Sequence, residues 1–277
     1  MHMLITTQVD MDGAKTAAQI VVNIHQRLAE WLTAGVSLGR IDSFIAEHLN
    51  AAGAKSAFLG YRSGKHPRFP SHSCLSPNDV IVHGTAGMRT EPLGPGDVIS
   101  IDIGVKFRGW IGDAAWTYII ESPKDDEMLR VCECGREALS RGIQQLKAGR
   151  AILRWAETVH HCIEQEYGYY CVRGLGGHGY GKMLHTPPYV SNVVPSYPGE
   201  WPDANAVLKP GMLLAVEPMV AAGTAKVEQE DRQWPIRTAD GSLAVHYEHD
   251  VLITEDDDGP MVLTEGLNEL PAVVGGS

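Results

Sequence analysis

The sequence predicts one α+β domain of 277 residues built from two similar halves, roughly 1–123 and 124–277. Two observations carry this prediction. Helical and strand-like stretches alternate in each half with no linker between them, and one motif occurs twice in the same order. In each copy, a His-Gly pair is followed by a Leu-x-Pro-Gly turn and a short apolar run that ends on a carboxylate.

The two copies of the motif also match in spacing. The first runs from His83 to Asp102 and the second from His178 to Glu217, and nine positions separate the leucine of the turn from the acid in both. Carboxylates at the ends of apolar strands are costly to bury unless they are paired or bound to a cation. The repeat therefore predicts a shared site to which each half contributes a histidine and an acid.

The elements follow from the periodicity of the apolar residues. The predicted helices are 17–31, 41–49, 128–146 and 152–167. The predicted strands are 80–82, 98–107, 110–120, 212–220, 245–254 and 261–264. Stretches rich in glycine, proline and polar residues predict loops at 60–79 and 195–210.

Composition excludes several classes of protein. The net charge of −11 argues against a nucleic-acid partner, which would require a basic surface. No apolar run reaches transmembrane length, and no secretory signal is recognised. The five cysteines lack Cys-x-x-Cys spacing, which favours reduced thiols. We therefore expect a cytoplasmic protein without a membrane partner.

Asp102 and Asp113 lie on two strand-like runs that flank a short turn at 107–109, which favours an antiparallel hairpin. If the turn centres on 107 and 108, the two aspartates are directly opposite; if it centres on 108 and 109, they are diagonal neighbours on one face. Such like charges repel unless a cation lies between them. The alternative is a surface hairpin with two solvated aspartates, which the apolar neighbours disfavour.

Three further side chains complete a candidate metal site. His178 lies in a glycine-rich stretch, Glu217 precedes a proline, and Glu248 comes just before an apolar strand. Four carboxylates and one imidazole suit Mn, Fe, Co or Zn, and four negative charges balance two divalent ions. Two such ions can activate water and polarise a carbonyl together. This donor set predicts hydrolysis.

Over nearly the whole chain, the sequence resembles type I methionine aminopeptidases of the pita-bread metallopeptidase superfamily. The motifs that carry the resemblance are Gly96-Asp97-Val98-Ile99-Ser100-Ile101-Asp102, Gly112-Asp113, Gly177-His178-Gly179-Tyr180-Gly181, Val216-Glu217-Pro218-Met219-Val220 and Tyr247-Glu248-His249. The resemblance implies a pseudo-two-fold fold of antiparallel sheet covered by helices. It also implies that two divalent metal ions are held by Asp102, Asp113, His178, Glu217 and Glu248, with Asp113 and Glu248 bridging.

The implied reaction removes the N-terminal methionine from nascent proteins and peptides that have a small second residue. By the resemblance, Glu217 takes the proton of the attacking water and His185 stabilises the tetrahedral intermediate. His83 contacts the substrate and assists proton transfer to the leaving nitrogen. The resemblance also implies action on a peptide or nascent-chain N-terminus, and we expect a monomer.

The methionine pocket implied by the resemblance is lined by Tyr61, Cys74, Leu184 and Trp234. The chain departs from the family on this side only. Leu184 replaces an aromatic residue, Phe58 stands where a small residue is common, and segment 62–73 is about five residues longer than usual. The sequence His185-Thr186-Pro187-Pro188 also differs from the usual His-Glu-x-Pro.

Two alternatives to this function stay open at the level of sequence. One is a related peptidase of the same fold that cleaves Xaa-Pro bonds, and the other is a binding paralogue without catalytic activity. The basic segment after Tyr61 is expected to be a solvated insertion, with contact to the peptide or the ribosome as the alternative.

Overall fold

The computed structural model describes residues 4–255 and 259–276. The chain begins with two helices, α1 (Gln8–Trp31) and α2 (Leu38–Ala51). Each begins at a hydroxyl N-cap, because the Thr7 side chain accepts the Asp10 N–H and Ser37 accepts the Arg40 N–H. Both predicted helices are therefore confirmed, and α1 extends nine residues further towards the N-terminus than its first predicted position at 17.

The five strands of the first half are β1 (Lys55–Ser56), β2 (Cys74–Pro77), β3 (Val80–Val82), β4 (Val98–Phe107) and β5 (Trp110–Ile120). All of them except β3 form a five-stranded sheet with β16 (Val273–Val274), the last described strand of the chain. The sheet has the order β1-β4-β5-β16, with β2 paired to β4. The bounds of β3, β4 and β5 are those predicted, whereas β2 lies inside the segment expected to be a loop.

The second half starts with α3 (Asp126–Ile143) and α4 (Leu153–His160), and α4 continues as a π-helical segment, His161–Glu166. Its strands are β6 (Tyr170–Cys171), β7 (Gly176–Gly179), β8 (Thr186–Ser191), β9 (Leu213–Val216), β10 (Met219–Ala221), β11 (Val227–Glu228), β12 (Ile236–Thr238), β13 (Ala244–His246), β14 (His249–Leu252), β15 (Met261–Val262) and β16 (Val273–Val274). A short 3₁₀ helix, Glu265–Glu269, precedes β16.

The second large sheet has the order β15-β14-β9-β7-β8. Two three-stranded sheets have the orders β13-β10-β6 and β11-β12-β3, and the latter pairs β3 of the first half with strands of the second. The strands predicted over 212–220 and 245–254 are each interrupted. β9 and β14 pair in the large sheet, whereas β10 and β13 pair in a small one. The two interruptions lie side by side, at Glu217-Pro218 and Tyr247-Glu248. Pro218 has no backbone N–H to donate to a strand ladder, so the first strand breaks there.

The main core is shared by both halves. Trp116 and Tyr118 of β5, Trp155 of α4 and Tyr247 are all fully buried in it. Helix α1 crosses β4 and β5 so closely that a Cβ at Gly112 would lie 2.5 Å from the backbone of α1. All five cysteines are free and buried. Within the described residues, none of the helices combines the length and apolarity that crossing a membrane requires.

Candidate active site and metal centre

The β4–β5 hairpin adopts the second of the two registers considered above. Phe107 pairs with Trp110, so that Gly104 lies opposite Asp113 and Asp102 lies opposite Ala115. The two aspartates are therefore diagonal neighbours on one face of the sheet. Two positive-φ residues, Arg108 and Gly109, make the turn.

Backbone hydrogen bonds bring the remaining acids to this face. The backbone N–H of Glu248 donates to the carbonyl oxygen of Ala115 at 2.9 Å, and the N–H of Asp113 donates to Asp250 Oδ2 at 2.9 Å. Glu217 lies beside Glu248 because both occupy the points where the chain passes from one sheet to another. Four carboxylates from three separate parts of the sequence thus meet at one place.

Glu217 has a histidine partner that the sequence did not indicate. The Nε2 of His246 lies 3.0 Å from Glu217 Oε2, and both residues are buried. Burial opposes ionisation of Glu217, but the hydrogen bond and charge of His246 outweigh it and lower the pKa of this carboxyl. Glu217 is therefore held as a carboxylate.

His178 presents its Nε2 to the carboxylates. Its Nδ1 lies 3.2 Å from the Gly179 carbonyl oxygen, which can accept only if Nδ1 carries the proton. Nε2 is then unprotonated, and it lies 3.8 Å from Asp113 Oδ2 and 3.9 Å from Glu217 Oε1. Burial lowers the pKa of His178, so the ring is neutral and can serve as a metal ligand.

The pKa values and the hydrogen bonding of the carboxylates indicate a site suited to a cation. Burial, with neighbouring acids, raises the pKa of Asp102 to about 7 and those of Asp113 and Glu248 well above their ordinary value. Asp102 Oδ1 and Asp113 Oδ1 are buried without a hydrogen-bond partner among the described residues. Such orphaned oxygens fit a divalent cation, which would supply the interaction that they lack.

Two overlapping groups of donors have the spacing of metal sites. Ligand atoms of Asp113, His178 and Glu248 lie within 4.8 Å of one another, as do those of Glu217, His246 and Glu248. Glu248 belongs to both groups. The arrangement is chemically suited to hold hard to borderline divalent ions.

These groups open into a cavity of about 480 Å³. Every candidate site residue from the sequence lines it: Tyr61, Cys74, His83, Asp102, Asp113, His178, Leu184, His185, Glu217, Trp234 and Glu248. Aromatic and aliphatic side chains line the cavity together with the acids and His178. The structure thus brings together all the residues that were singled out.

His185 stands beside His178, with 4.3 Å between the ring centroids. Its Nδ1 is 2.7 Å from the hydroxyl oxygen of Tyr61. Burial, and then the neighbouring His178, lower the pKa of His185 to about 4, while burial raises that of Tyr61. Both groups are therefore uncharged at neutral pH. When the Tyr61 hydroxyl donates to Nδ1, the proton of the imidazole is on Nε2.

His83 owes its place to backbone conformation. It has a φ of +58°, in the left-handed region that non-glycine residues rarely occupy, just after β3 ends. Gly84 follows, and a Cβ there would lie 1.9 Å from the Leu75 carbonyl oxygen. The chain therefore turns sharply here, and His83 lines the cavity with a pKa that burial lowers to about 4.

The apolar side of the cavity is a cluster of buried rings and aliphatic groups. Phe58 packs over Gly104, where a Cβ would meet its ring at 2.3 Å. Phe69 makes edge contacts with Phe58, at 6.3 Å, and with Trp234, at 5.2 Å. Leu184 and Cys74 complete this wall, and burial, then Asp102, keep the Cys74 thiol neutral by raising its pKa.

A second cavity of about 500 Å³ adjoins the first. The two share His83, His178, His185 and Glu217 in their linings, and the second extends along the glycine run from Gly174. A chain bound in the first cavity can therefore continue into the second.

Sequence reasoning missed four residues of the site. His246 and Asp250 flank Glu248 at two-residue steps, the period of a strand face, and this signal could have indicated them. Tyr189 lies on β8 opposite His178. Phe69 carries no signal, because a tertiary contact alone brings it to the cavity.

Comparison with known proteins agrees with this geometry. Residues 12–255 match the metallopeptidase family M24, and the chain belongs to this family. It is 34% identical over 260 residues to a methionine aminopeptidase of Aquifex aeolicus, covering 94% of this chain and 97% of the relative. The resemblance inferred from the motifs is therefore confirmed.

Solved structures show the same fold. A methionine aminopeptidase from Thermotoga maritima superposes with a TM-score of 0.84 at 29% identity, covering 95% of this chain and 99% of the other. An X-Pro aminopeptidase from the same organism gives 0.73 at 21% identity, and the match covers 99% of this chain but 65% of that one. The second likeness concerns the pita-bread fold alone.

Proposed function

We propose that this protein is a methionine aminopeptidase that removes the N-terminal methionine from peptides and nascent proteins with a small second residue. The observation that carries the proposal is the convergence of four carboxylates and His178 in one cavity that aromatic and aliphatic side chains also line. The names of relatives that match over nearly their whole length support it. The Xaa-Pro alternative has only the fold in its favour.

In this proposal Asp102, Asp113, His178, Glu217 and Glu248 are the residues that would hold two divalent ions. Co, Mn, Fe and Zn all suit this donor set. When bound, the ions polarise the scissile carbonyl and lower the pKa of water. Asp250 Oδ2 accepts a hydrogen bond from the backbone N–H of Asp113 and so orients that residue.

The protein side chains move and place the protons. Glu217, kept ionised by His246, accepts the proton of the attacking water. His185 donates from Nε2 to the carbonyl oxygen as negative charge develops there. His83, a neutral imidazole on the same cavity, contacts the substrate and assists proton transfer to the leaving nitrogen.

The apolar wall accounts for a preference for methionine. Tyr61, Cys74, Leu184 and Trp234 surround a space that a flexible, unbranched thioether fills well, and sulfur packs favourably against aromatic rings. Cys74, Leu184 and Trp234 are buried, so a side chain bound between them is removed from water.

The proposal extends to the context of the enzyme. Residues 1–277 form a single catalytic domain that acts as a cytoplasmic monomer on a peptide or nascent-chain N-terminus. The ribosome is a candidate partner through the basic side chains after Tyr61, whereas the net charge of −11 disfavours free nucleic acid.

Turnover of a peptide panel by metal-free protein reloaded with each ion tests the proposal. We expect Met-Ala-Ser to be cleaved at the first bond and Ala-Pro peptides to be left intact, with two ions bound per chain by calorimetry. Preferential cleavage of Ala-Pro peptides would establish the Xaa-Pro alternative. No turnover together with no bound Mn or Co would establish a binding paralogue.

A further inference from the structure

Segment 62–68 is a short excursion on the rim of the cavity. Its ends are tied together, because the Phe69 N–H donates to the Tyr61 carbonyl oxygen at 2.9 Å and the Gly60 N–H donates to that of Phe69 at 2.8 Å. Tyr61 and Phe69 both line the cavity. The segment therefore starts and ends at the wall that faces the substrate.

The side of segment 62–68 that faces the protein contacts Trp234. The indole N–H of Trp234 donates to the Pro67 carbonyl oxygen at 3.1 Å. The His66 ring lies 5.0 Å from the indole at 33° to its plane. An indole has a single donor, and here the segment satisfies it while also covering the face of the ring.

Trp234 does not lie in a strand, so the hydrogen bonds of a sheet do not fix its backbone. It lies between β11 and β12, where the Gln229 amide donates to its carbonyl oxygen at 3.1 Å. Its ring nevertheless is 7% exposed and meets Phe69 on one edge and His83 at 6.1 Å, almost perpendicular. The position of this ring thus affects both the apolar wall and a histidine of the site.

The outer side of the segment has a different character. Arg62, Lys65, Pro67 and Arg68 are exposed and His66 is half-buried, so solvent covers most of the segment, while the His66 ring and the Pro67 carbonyl oxygen contact Trp234. The segment thus contacts Trp234 on one side while its charged side chains remain in solvent on the other.

We propose that segment 62–68 determines the selectivity for the first residue by clasping Trp234, with His66 and Pro67 as positioning residues. This inference deepens the proposed function and rests on it. The clasp fixes the indole and so sets the width of the space for the first side chain. Loss of the clasp lets the indole move and admits bulkier or branched first residues.

The test compares His66→Ala and Pro67→Gly with a control on the same segment, Lys65→Ala. For the two clasp variants we expect the ratio of kcat/KM between Met-Ala-Ser and Leu-Ala-Ser to fall about tenfold, mainly through KM. Lys65→Ala should keep the wild-type ratio. Ratios equal to wild type in both clasp variants would overturn the proposal.

A second readout does not depend on turnover. The Trp234 indole N–H resonance, assigned by its loss in Trp234→Phe, should shift and exchange faster with solvent in His66→Ala and Pro67→Gly but not in Lys65→Ala. An unchanged indole signal would refute the clasp even in an active enzyme. A changed signal in a protein that cleaves no peptide would contradict the proposed function and leave the clasp standing.

Discussion

His246 and Glu217 form a buried hydrogen bond of 3.0 Å at the place where two pairs of strands pass from one sheet to another. The bond connects a residue that no motif contained to the proposed proton acceptor. It lowers the pKa of Glu217 against the effect of burial. The ionisation state of the site is therefore determined by tertiary structure as much as by the ligands themselves.

Replacement of His246 by Ala should raise the pKa of Glu217. The acidic limb of the kcat/KM profile then moves to higher pH, and activity at neutral pH falls about 10- to 100-fold, as is usual when the partner of a metal ligand is lost. His246→Gln retains a donor and should restore most of the activity. An acidic limb that stays in place in His246→Ala would contradict the role of this bond.

Loss of a proposed ligand should abolish turnover without unfolding the protein. Asp102→Asn or His178→Ala is expected to lower kcat/KM by more than about 100-fold, the upper range for loss of an outer partner, and to reduce the number of bound ions. Circular dichroism should show retained structure. Asp231→Asn, at a side chain that is 97% exposed, is the control. Full activity of Asp102→Asn in metal-free buffer would refute the assignment.

Bound metal should stabilise the folded protein more at pH 7.5 than at pH 5, which opposes the pH dependence of the metal-free protein. In metal-free protein the raised pKa of Asp102, at about 7, and those of Asp113 and Glu248 keep protons on the folded state that the unfolded state releases. The free energy of unfolding therefore falls as pH rises from about 4 through 7. Ions bind the deprotonated ligands, so the gain in Tm on adding Mn or Co should be larger at pH 7.5 than at pH 5.

This comparison requires only melting curves with EDTA and with excess metal at each pH. Equal gains in Tm at both pH values would show that the four carboxylates are not what the ions bind.

Leu184→Phe should tighten selectivity for methionine, because Leu184 is 8% exposed in the wall of the cavity and a larger ring reduces the space there. The measured quantity is the ratio of methionine to leucine or norleucine cleavage. Leu59→Phe is the matched control, since Leu59 is 49% exposed and does not line the cavity. A ratio that Leu184→Phe leaves unaltered would remove this side chain from the specificity pocket.

His25 should make the fold sensitive to acid. It is fully buried between α1 and β5, with Nδ1 2.9 Å from the Tyr118 hydroxyl, and burial lowers its pKa to about 4. Because the unfolded state takes up a proton at His25 below about pH 6.5 and the folded state does not, the contribution of His25 to stability falls between pH 6.5 and 4, by about 3 kcal/mol.

Urea unfolding of wild type and His25→Gln over this range isolates the effect, since the metal ligands are common to both. The difference in unfolding free energy should narrow as the pH falls, because the variant lacks the titrating group. A constant difference would contradict the prediction.

Periodicity was sufficient for the elements that make local contacts. β4 and β5 have the predicted bounds, because a hairpin joins residues that are close in sequence. It failed where a strand changes partners. The apolar run at 212–220 looks continuous, yet it divides at Glu217-Pro218 between two sheets. Likewise, β2 was not predicted, because this proline- and serine-rich segment forms a strand only through its pairing with β4.

By itself, the sequence determined the repeated motif, the donor types and hence a metal-dependent hydrolase, because the number and charge of the ligands are chemical properties of the residues. Only the tertiary structure decided which register the aspartate pair takes, that His246 and Asp250 support the acids, and that Trp234 is held by segment 62–68. These relations join residues that are distant along the chain. Local periodicity could place His246 and Asp250 on the face of Glu248, but it does not encode which distant residues they contact, which depends on how the sheets cross and how the rings pack.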